Sequence, residues 1–262
     1  MKKTVLFFIL FAILLTSFIL PTQAQAVRHQ WYCKHVKGHV QPPLDARLSF
    51  IEEHDAYYID RNHTDANAAD KVIYLTFDAG YENGNVAKIL DVLREENVPA
   101  AFFILQNLIY KNADLVKRMR DEGHLVCNHT AHHKDMSNVG NDAFLSELHE
   151  LEALYKERIG GEMAKYYRPP EGVFSQENLI CASKNGYRTI FWSFAYPDWD
   201  NNRQMNIEKA KEIILDNLHN GEIMLLHPTS NTNAEILGDI IREARAQGYR
   251  FGTLDELMGV ES

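Results

Sequence analysis

The chain has 262 residues, with 27 lysines and arginines against 36 aspartates and glutamates, and a formal charge of −9. A surface this acidic excludes nucleic acid and anionic lipid as partners held by bulk charge, so an acidic polymer must be gripped locally. Its three cysteines, Cys33, Cys127 and Cys181, are too few for a disulfide framework and too odd in number to pair completely within the chain.

Met1 to Ala26 bring two lysines, an apolar run from Val5 to Leu20, Pro21 and a small-residue site at Ala24, Gln25 and Ala26. That order is the order of a secretory signal peptide (1–26), cleaved after Ala26, and it predicts a secreted or cell-envelope location. A retained membrane anchor is the alternative, because the run is only slightly short of a bilayer span. From Val27 to Asp70 the sequence is irregular and polar with scattered aromatics, an arm (27–70) expected to pack on the main body and to carry a short helix near Leu48 to His54.

After the arm the pattern becomes rhythmic. Strands are predicted at Val72–Phe77, Ala100–Leu105, His124–Cys127, Tyr166–Arg168, Thr189–Trp192, Glu222–Leu226 and Tyr249–Thr253. Amphipathic helices are predicted between them, over Asn85–Glu96, Asn112–Glu122, Asp142–Ile159, Ser175–Asn185, Ile207–Asn220 and Asn233–Gln247. Cys127 closes an apolar strand and reads as a small buried thiol. Seven alternations of strand and helix give an α/β chain with a parallel sheet, open or closed into a barrel, whose chemistry lies at the carboxyl ends of the strands.

Five strand ends are chemically loaded. Asp78 follows the first strand, "NHTAHH" (Asn128 to His133) the third, "RPPEG" (Arg168 to Gly172) the fourth, "YPDW" (Tyr196 to Trp199) the fifth, and His227 the sixth. Singly each has a plain structural explanation: a strand-terminal Asp caps or turns, an Arg pairs with a carboxylate, a His after an apolar run sits in the core. His129 and His133 are four apart, so on a helix they would share one face within reach of one ion, with His132 pointing elsewhere. The segment has no glutamate in the manner of H-E-x-x-H, which removes a metalloprotease. The five together on one rim are the pattern of a catalytic site.

The ordered series "TFDAG", "HTAHH", "RPPEG", "DW" and "LLH" resembles the polysaccharide deacetylases, carbohydrate esterase family 4 with its NodB homology domain, over Lys71 to about Met258 (71–258). The loop "GYENG" and the arm with "QPP" are most similar to the branch that deacetylates N-acetylmuramic acid during spore cortex peptidoglycan maturation, the product closing to a δ-lactam. The resemblance implies a distorted (β/α) barrel of about seven parallel strands, acting on peptidoglycan glycan strands. It makes Asp78 the general base, Arg168 its anchor, His227 the general acid and Asp198 the support of His227. His129 and His133 would hold a divalent metal, zinc in much of the family, and Tyr81, Glu171, Trp199 and Leu225 would meet the substrate. Amide hydrolysis needs the same parts: a deprotonated water, a polarised carbonyl and a proton for the leaving nitrogen.

Two positions depart from the family pattern. Ala79 stands where the family carries an aspartate that ligates the metal, and where the muramic-acid branch typically carries asparagine, so the ion is expected to bind weakly or to borrow Asp135 or Glu82. Glu171 stands where relatives often carry arginine or an aromatic residue. The alternatives to a muramic-acid deacetylase are a deacetylase of chitin oligomers, xylan or peptidoglycan N-acetylglucosamine, and a non-catalytic cell-wall binding protein.

Overall fold

Residues 26–260 are described by a computed structural model; the expected signal segment (1–26) lies, but for Ala26, outside the described residues. In chain order the elements are β1 (His29–Gln30), a 3-10 helix (Ala46–His54), β2 (Ala56–Tyr57), β3 (Lys71–Ala79), α1 (Val86–Glu95), β4 (Ala101–Ile104), α2 (Gln106–Asp121) and β5 (Leu125–Asn128). There follow α3 (Asn141–Arg158), β6 (Ala164–Tyr167), a 3-10 turn (Pro170–Gly172), β7 (Val173–Phe174), α4 (Gln176–Lys184) and β8 (Arg188–Ile190). The chain continues with α5 (Ile207–Asn217), β9 (Glu222–Leu226), α6 (Asn231–Ala246), β10 (Tyr249–Gly252) and α7 (Leu254–Leu257). All seven expected strands are present. Among the described residues no helix is long and apolar enough to cross a membrane.

β3 is the hub. It pairs in parallel with β4, β9 and β10, and the sheet continues through β5, β6 and β8 to β2. Beyond β8 the chain meets β9 through a parallel bridge between Phe194 and Met224, so the wall closes on itself as a distorted barrel. The strand alternation divides the core. Ile73, Leu75, Phe77 and Ala79 face the helices with Ile89, Leu93 and Ile240, while Val72 and Tyr74 face the interior with Phe103, Cys127 and Ile223. Leu254 of α7 plugs the interior from below.

Two expectations are corrected. α2 begins at Gln106, well before Asn112, because Asn112 has non-helical angles (φ −141°, ψ 42°) that kink the helix and break its apolar period there. α5 stops at Asn217, three residues before the expected end, where Asn217 turns its amide back onto the Ile213 carbonyl and the next residues drop into the core. The segment after the 3-10 helix also does more than lie on the surface. Thr189 and Phe191 donate to the carbonyls of Asp55 and Tyr57, and Asp60 donates to that of Gly221, which builds residues 55–60 into the wall between β8 and β9.

Candidate active site

The last inward-facing residue of β3 is Asp78. Its Oδ1 accepts from Arg168 Nη1 at 2.8 Å, and its Oδ2 lies 3.5 Å from His129 Nε2. Arg168 is fully buried. Its fork is held by the Ile190 carbonyl (2.9 Å), Thr76 Oγ1 (2.9 Å) and the Phe191 carbonyl (3.3 Å), and its plane lies over the Phe103 ring at 4.1 Å. A buried cation survives only with its donors and charge matched, and here both are. Burial alone would push the Asp78 carboxyl up, but the charge of Arg168, helped by that of His227, outweighs it and holds the group below the usual carboxylate range. Asp78 is therefore a carboxylate with one oxygen anchored and the other free.

The histidine pair is set by a loop, not by the helix on which the spacing would have placed it. Asn128 Oδ1 takes the Thr130 N–H at 2.9 Å, Thr130 Oγ1 takes the His133 N–H at 3.0 Å, and Thr130 and His133 both have left-handed backbone (φ 68° and 56°). The two rings meet edge to face with centroids 4.9 Å apart. His129 donates Nδ1–H to the Arg168 carbonyl at 2.8 Å, which leaves Nε2 unprotonated toward Asp78; burial holds this imidazole neutral by lowering its pKa to about 4. His132 turns away to Glu147.

On the far side, His227 Nδ1 lies 2.7 Å from Asp198 Oδ1, and its backbone N–H donates to Asp198 Oδ2 at 2.7 Å. Asn233 Nδ2 donates to the same carboxylate at 2.6 Å. Burial would lower the His227 pKa, but the Asp198 charge and hydrogen bond raise it above the ordinary value. With Nδ1–H committed, Nε2 is the nitrogen left for chemistry.

These groups line one cavity of about 850 Å³, large for a pocket holding a single small ligand. Asp78, His129, His133 and His227 meet there with Tyr81, Glu171, Trp199 and Leu225, so every residue expected to touch substrate borders the same space. Trp199 is 60 % exposed and presents its ring near His227, with centroids 6.3 Å apart, while Leu225 is buried at the cavity floor. Thr76, Phe103 and Asn233 escape sequence reasoning, although Thr76 stands two residues before Asp78 and so faces the same way. The arm's Gln30 to Cys33 also form part of the cavity wall, for which the sequence carries no signal. The Cys33 thiol, pushed up to about 12 by burial, is no nucleophile.

The position expected to supply a third metal ligand is turned elsewhere. Ala79 is fully buried in the helix-facing core and does not border the cavity. Neither expected substitute is in place: Asp135 is engaged by Arg28 and Ser137, Glu82 accepts the Gly84 N–H, and neither lines the cavity. Among the described residues no group of three or more His, Cys, Asp or Glu could hold an ion. The donor set thus falls short of the three protein ligands of a catalytic zinc.

A carboxylate base and a carboxylate-supported imidazolium on opposite sides of a cleft, at the carboxyl ends of barrel strands, define a hydrolase that splits an amide or ester by acid–base chemistry. A profile of the polysaccharide deacetylase family matches residues 65–190. The chain is 40 % identical over 241 residues to the peptidoglycan-N-acetylmuramic acid deacetylase PdaA of Bacillus subtilis, covering 90 % of this chain and 89 % of that one. It is 30 % identical over 194 residues to a peptidoglycan-N-acetylglucosamine deacetylase of Bacillus cereus, covering 72 % of this chain and 89 % of the other. The solved structure of Bacillus subtilis PdaA, a family 4 carbohydrate esterase, superposes with a TM-score of 0.82 at 39 % identity, over 88 % of this chain and 97 % of that one. A family 4 carbohydrate esterase from Bacillus anthracis gives 0.72 at 36 % identity, over 90 % and 98 %. The chain belongs to the polysaccharide deacetylase family, carbohydrate esterase family 4, whose deacetylases are generally metal-dependent.

Proposed function

We propose that this enzyme removes the N-acetyl group from N-acetylmuramic acid in peptidoglycan glycan strands, with the muramic amine going on to the δ-lactam of spore cortex. The observation that carries the chemistry is the pairing of Asp78 and His227 across one cleft; the muramic substrate is favoured by the likeness to PdaA. Asp78 Oδ2 takes a proton from water, and the hydroxide attacks the acetyl carbonyl. The tetrahedral intermediate then breaks its C–N bond as His227 gives its proton to the departing amine, releasing acetate. Arg168 keeps Asp78 charged and fixed, and Asp198 with Asn233 keeps His227 protonated and oriented. Tyr81 and Trp199 offer rings for sugar faces, and Leu225 offers an apolar floor for the acetyl methyl.

Among the described residues, His129 and His133 are the cleft's candidate ligands for a divalent ion, zinc by family habit, and two imidazoles would hold it weakly. The 27–70 arm and the 71–258 barrel would work as one catalytic unit, and the amino-terminal segment fits export to the cell envelope; sequencing the amino terminus of mature protein checks cleavage after Ala26.

Incubation with cortex-like glycan strands, read by acetate release, tests the activity. Release from chitin oligomers or xylan and none from muramic strands would refute the substrate. Asp78→Asn is isosteric and is expected to lower turnover by about 10²-fold or more; the fold by circular dichroism should persist, with a lowered melting temperature because the buried Arg168 loses its counter-charge. Full retained activity would remove Asp78 from the base role.

A further inference from the structure

The arm brings an exposed ring of its own to the cleft. β1 pairs with β7, and from His29 to Cys33 exposure alternates as on a strand: Trp31 is buried and His29 and Cys33 half-buried, while Gln30 and Tyr32 are exposed. Both exposed residues border the cavity that holds Asp78 and His227, and Tyr32 is 46 % exposed there. Four aromatic side chains are exposed to this degree among the described residues, and three of them, Tyr32, Tyr81 and Trp199, border this one cavity although they come from three separate segments. Scattered exposed rings need no explanation, but rings gathered on one cleft mark a binding surface.

The two arm side chains are held by their own atoms. Tyr32 donates its hydroxyl to Asp45 Oδ2 at 2.8 Å, and Asp45 accepts in turn from the Arg47 backbone N–H at 2.9 Å and from its guanidinium at 2.6 Å. Gln30 donates Nε2–H to the Glu171 carbonyl, which leaves its Oε1 free. Between them, the Trp31 backbone N–H donates to the Gly172 carbonyl at 2.7 Å and its indole to the Trp192 carbonyl. Side chains fixed in this way lose little freedom when a ligand lands on them. Tyr81 and Trp199 stand on the loops after β3 and β8, tied together where Asn201 donates to the Tyr81 hydroxyl at 2.5 Å. Tyr32 belongs to a different wall, built on the turn after β6 and on Trp192. A pyranose offers a C–H face to an aromatic ring and a rim of hydroxyl and acetamido groups to an amide, the pairing that Tyr32 and Gln30 present side by side.

We infer that Gln30 and Tyr32 form a subsite for a non-reacting sugar of the same glycan strand, its C–H face on the Tyr32 ring and a hydroxyl or acetamido N–H of its rim on Gln30 Oε1. This rests on the glycan reading of the cleft and not on which sugar reacts. Both residues precede the segment matched by the family profile, so the subsite is an addition to the family's site, made by the arm. Contacts to a remote sugar help to position the reacting one, so kcat/KM is expected to rise with strand length.

The test compares muramic glycan strands from disaccharide to octasaccharide by acetate release, and follows binding of the same strands by calorimetry to Asp78→Asn with and without Tyr32→Ala. The quantity read is the ratio of octasaccharide to disaccharide, in kcat/KM or, for a strand that is not turned over, in affinity. Tyr32→Ala is expected to cut that ratio about tenfold, the loss of one well-packed ring contact. Tyr32→Phe keeps the ring, gives up the Asp45 bond and should keep the ratio. A general loosening of the fold would slow both strands alike and leave the ratio where it was. An unchanged ratio in Tyr32→Ala, or an equal fall in Tyr32→Phe, overturns the inference and leaves the glycan reading standing. Length-dependent binding that Tyr32→Ala abolishes, with no acetate from any strand, keeps the subsite and overturns the proposed reaction. Binding of no strand at all overturns both.

Discussion

His227 carries a proton above its ordinary range because Asp198 receives both its ring and its backbone N–H. Activity needs that proton, so the alkaline limb of kcat/KM lies above the usual imidazole value; the acid limb, set by Asp78, lies below the usual carboxylate range. Asp198→Asn keeps the shape and removes the charge, and it should move the alkaline limb to lower pH; a limb that stays in place separates His227 from the acid role. Ala79 is the other decisive residue. A carboxylate at 79 would enter a fully buried apolar cluster. Ala79→Asp is therefore expected to lose several kcal/mol of stability without metal. If its side chain turns to the His129 and His133 pair, zinc should restore the melting temperature and be retained through dialysis, unlike in the wild type. A zinc response no greater than the wild type's would mean that the carboxylate stays in the apolar core and does not complete the site.

At the scale of elements, the arm is fastened beside the cleft and again through residues 55–60 between β8 and β9. Near the cleft, β1 pairs antiparallel with β7 and Trp31 donates to the Trp192 carbonyl at 3.0 Å. The fastening depends on Gly172, whose φ is 68° and where a Cβ would stand 2.8 Å from the Trp192 ring and 3.1 Å from Trp31. Gly172→Ala is expected to unseat residues 29–33, with faster proteolysis there and a raised KM, and with the rest of the barrel intact by circular dichroism. The strands and most helices of the barrel were legible because their apolar residues recur with a fixed period. The arm was not, because its contacts reach more than a hundred residues along the chain to β7 and β8 and follow no local period. The histidine loop was half legible: the spacing marked His129 and His133, but the Asn128 and Thr130 hydrogen bonds that fold it are tertiary, closing on α3 through Asn128 and the Leu148 carbonyl. Asp78, Arg168 and His227 were legible because strand ends fix where they point.

For the molecule as a whole, two buried groups below the cleft make its stability depend on pH in opposite directions. His219 donates to the Asn217 carbonyl and accepts from Ser193, and burial lowers its pKa to about 4. The unfolded chain binds this proton below about 6.5 and the folded chain does not. Its contribution, on the order of 3 kcal/mol, is thus complete above pH 6.5 and lost as pH falls toward 4. Glu222 behaves oppositely: burial raises its carboxyl well above the ordinary value, so stability falls as pH rises from about 4.5 toward its folded pKa. Glu222→Gln should flatten the alkaline side of the stability curve in urea titrations. An unchanged alkaline side would mean that Glu222 is ionised in the fold.

The insertion of residues 55–60 between β8 and β9 also dictates an order of assembly. β2 leaves the ribosome early but pairs with β8, and β3 pairs with β10 near the other end of the chain. Neither closure can form until most of the chain has been made. Such non-local pairing folds slowly, because loop closure precedes any gain in contacts. A chain that finishes its barrel last keeps strand edges unpaired through most of its synthesis. It also has no working cleft until both closures have formed, because Asp78 of β3 and Arg168 after β6 meet only in the closed wall.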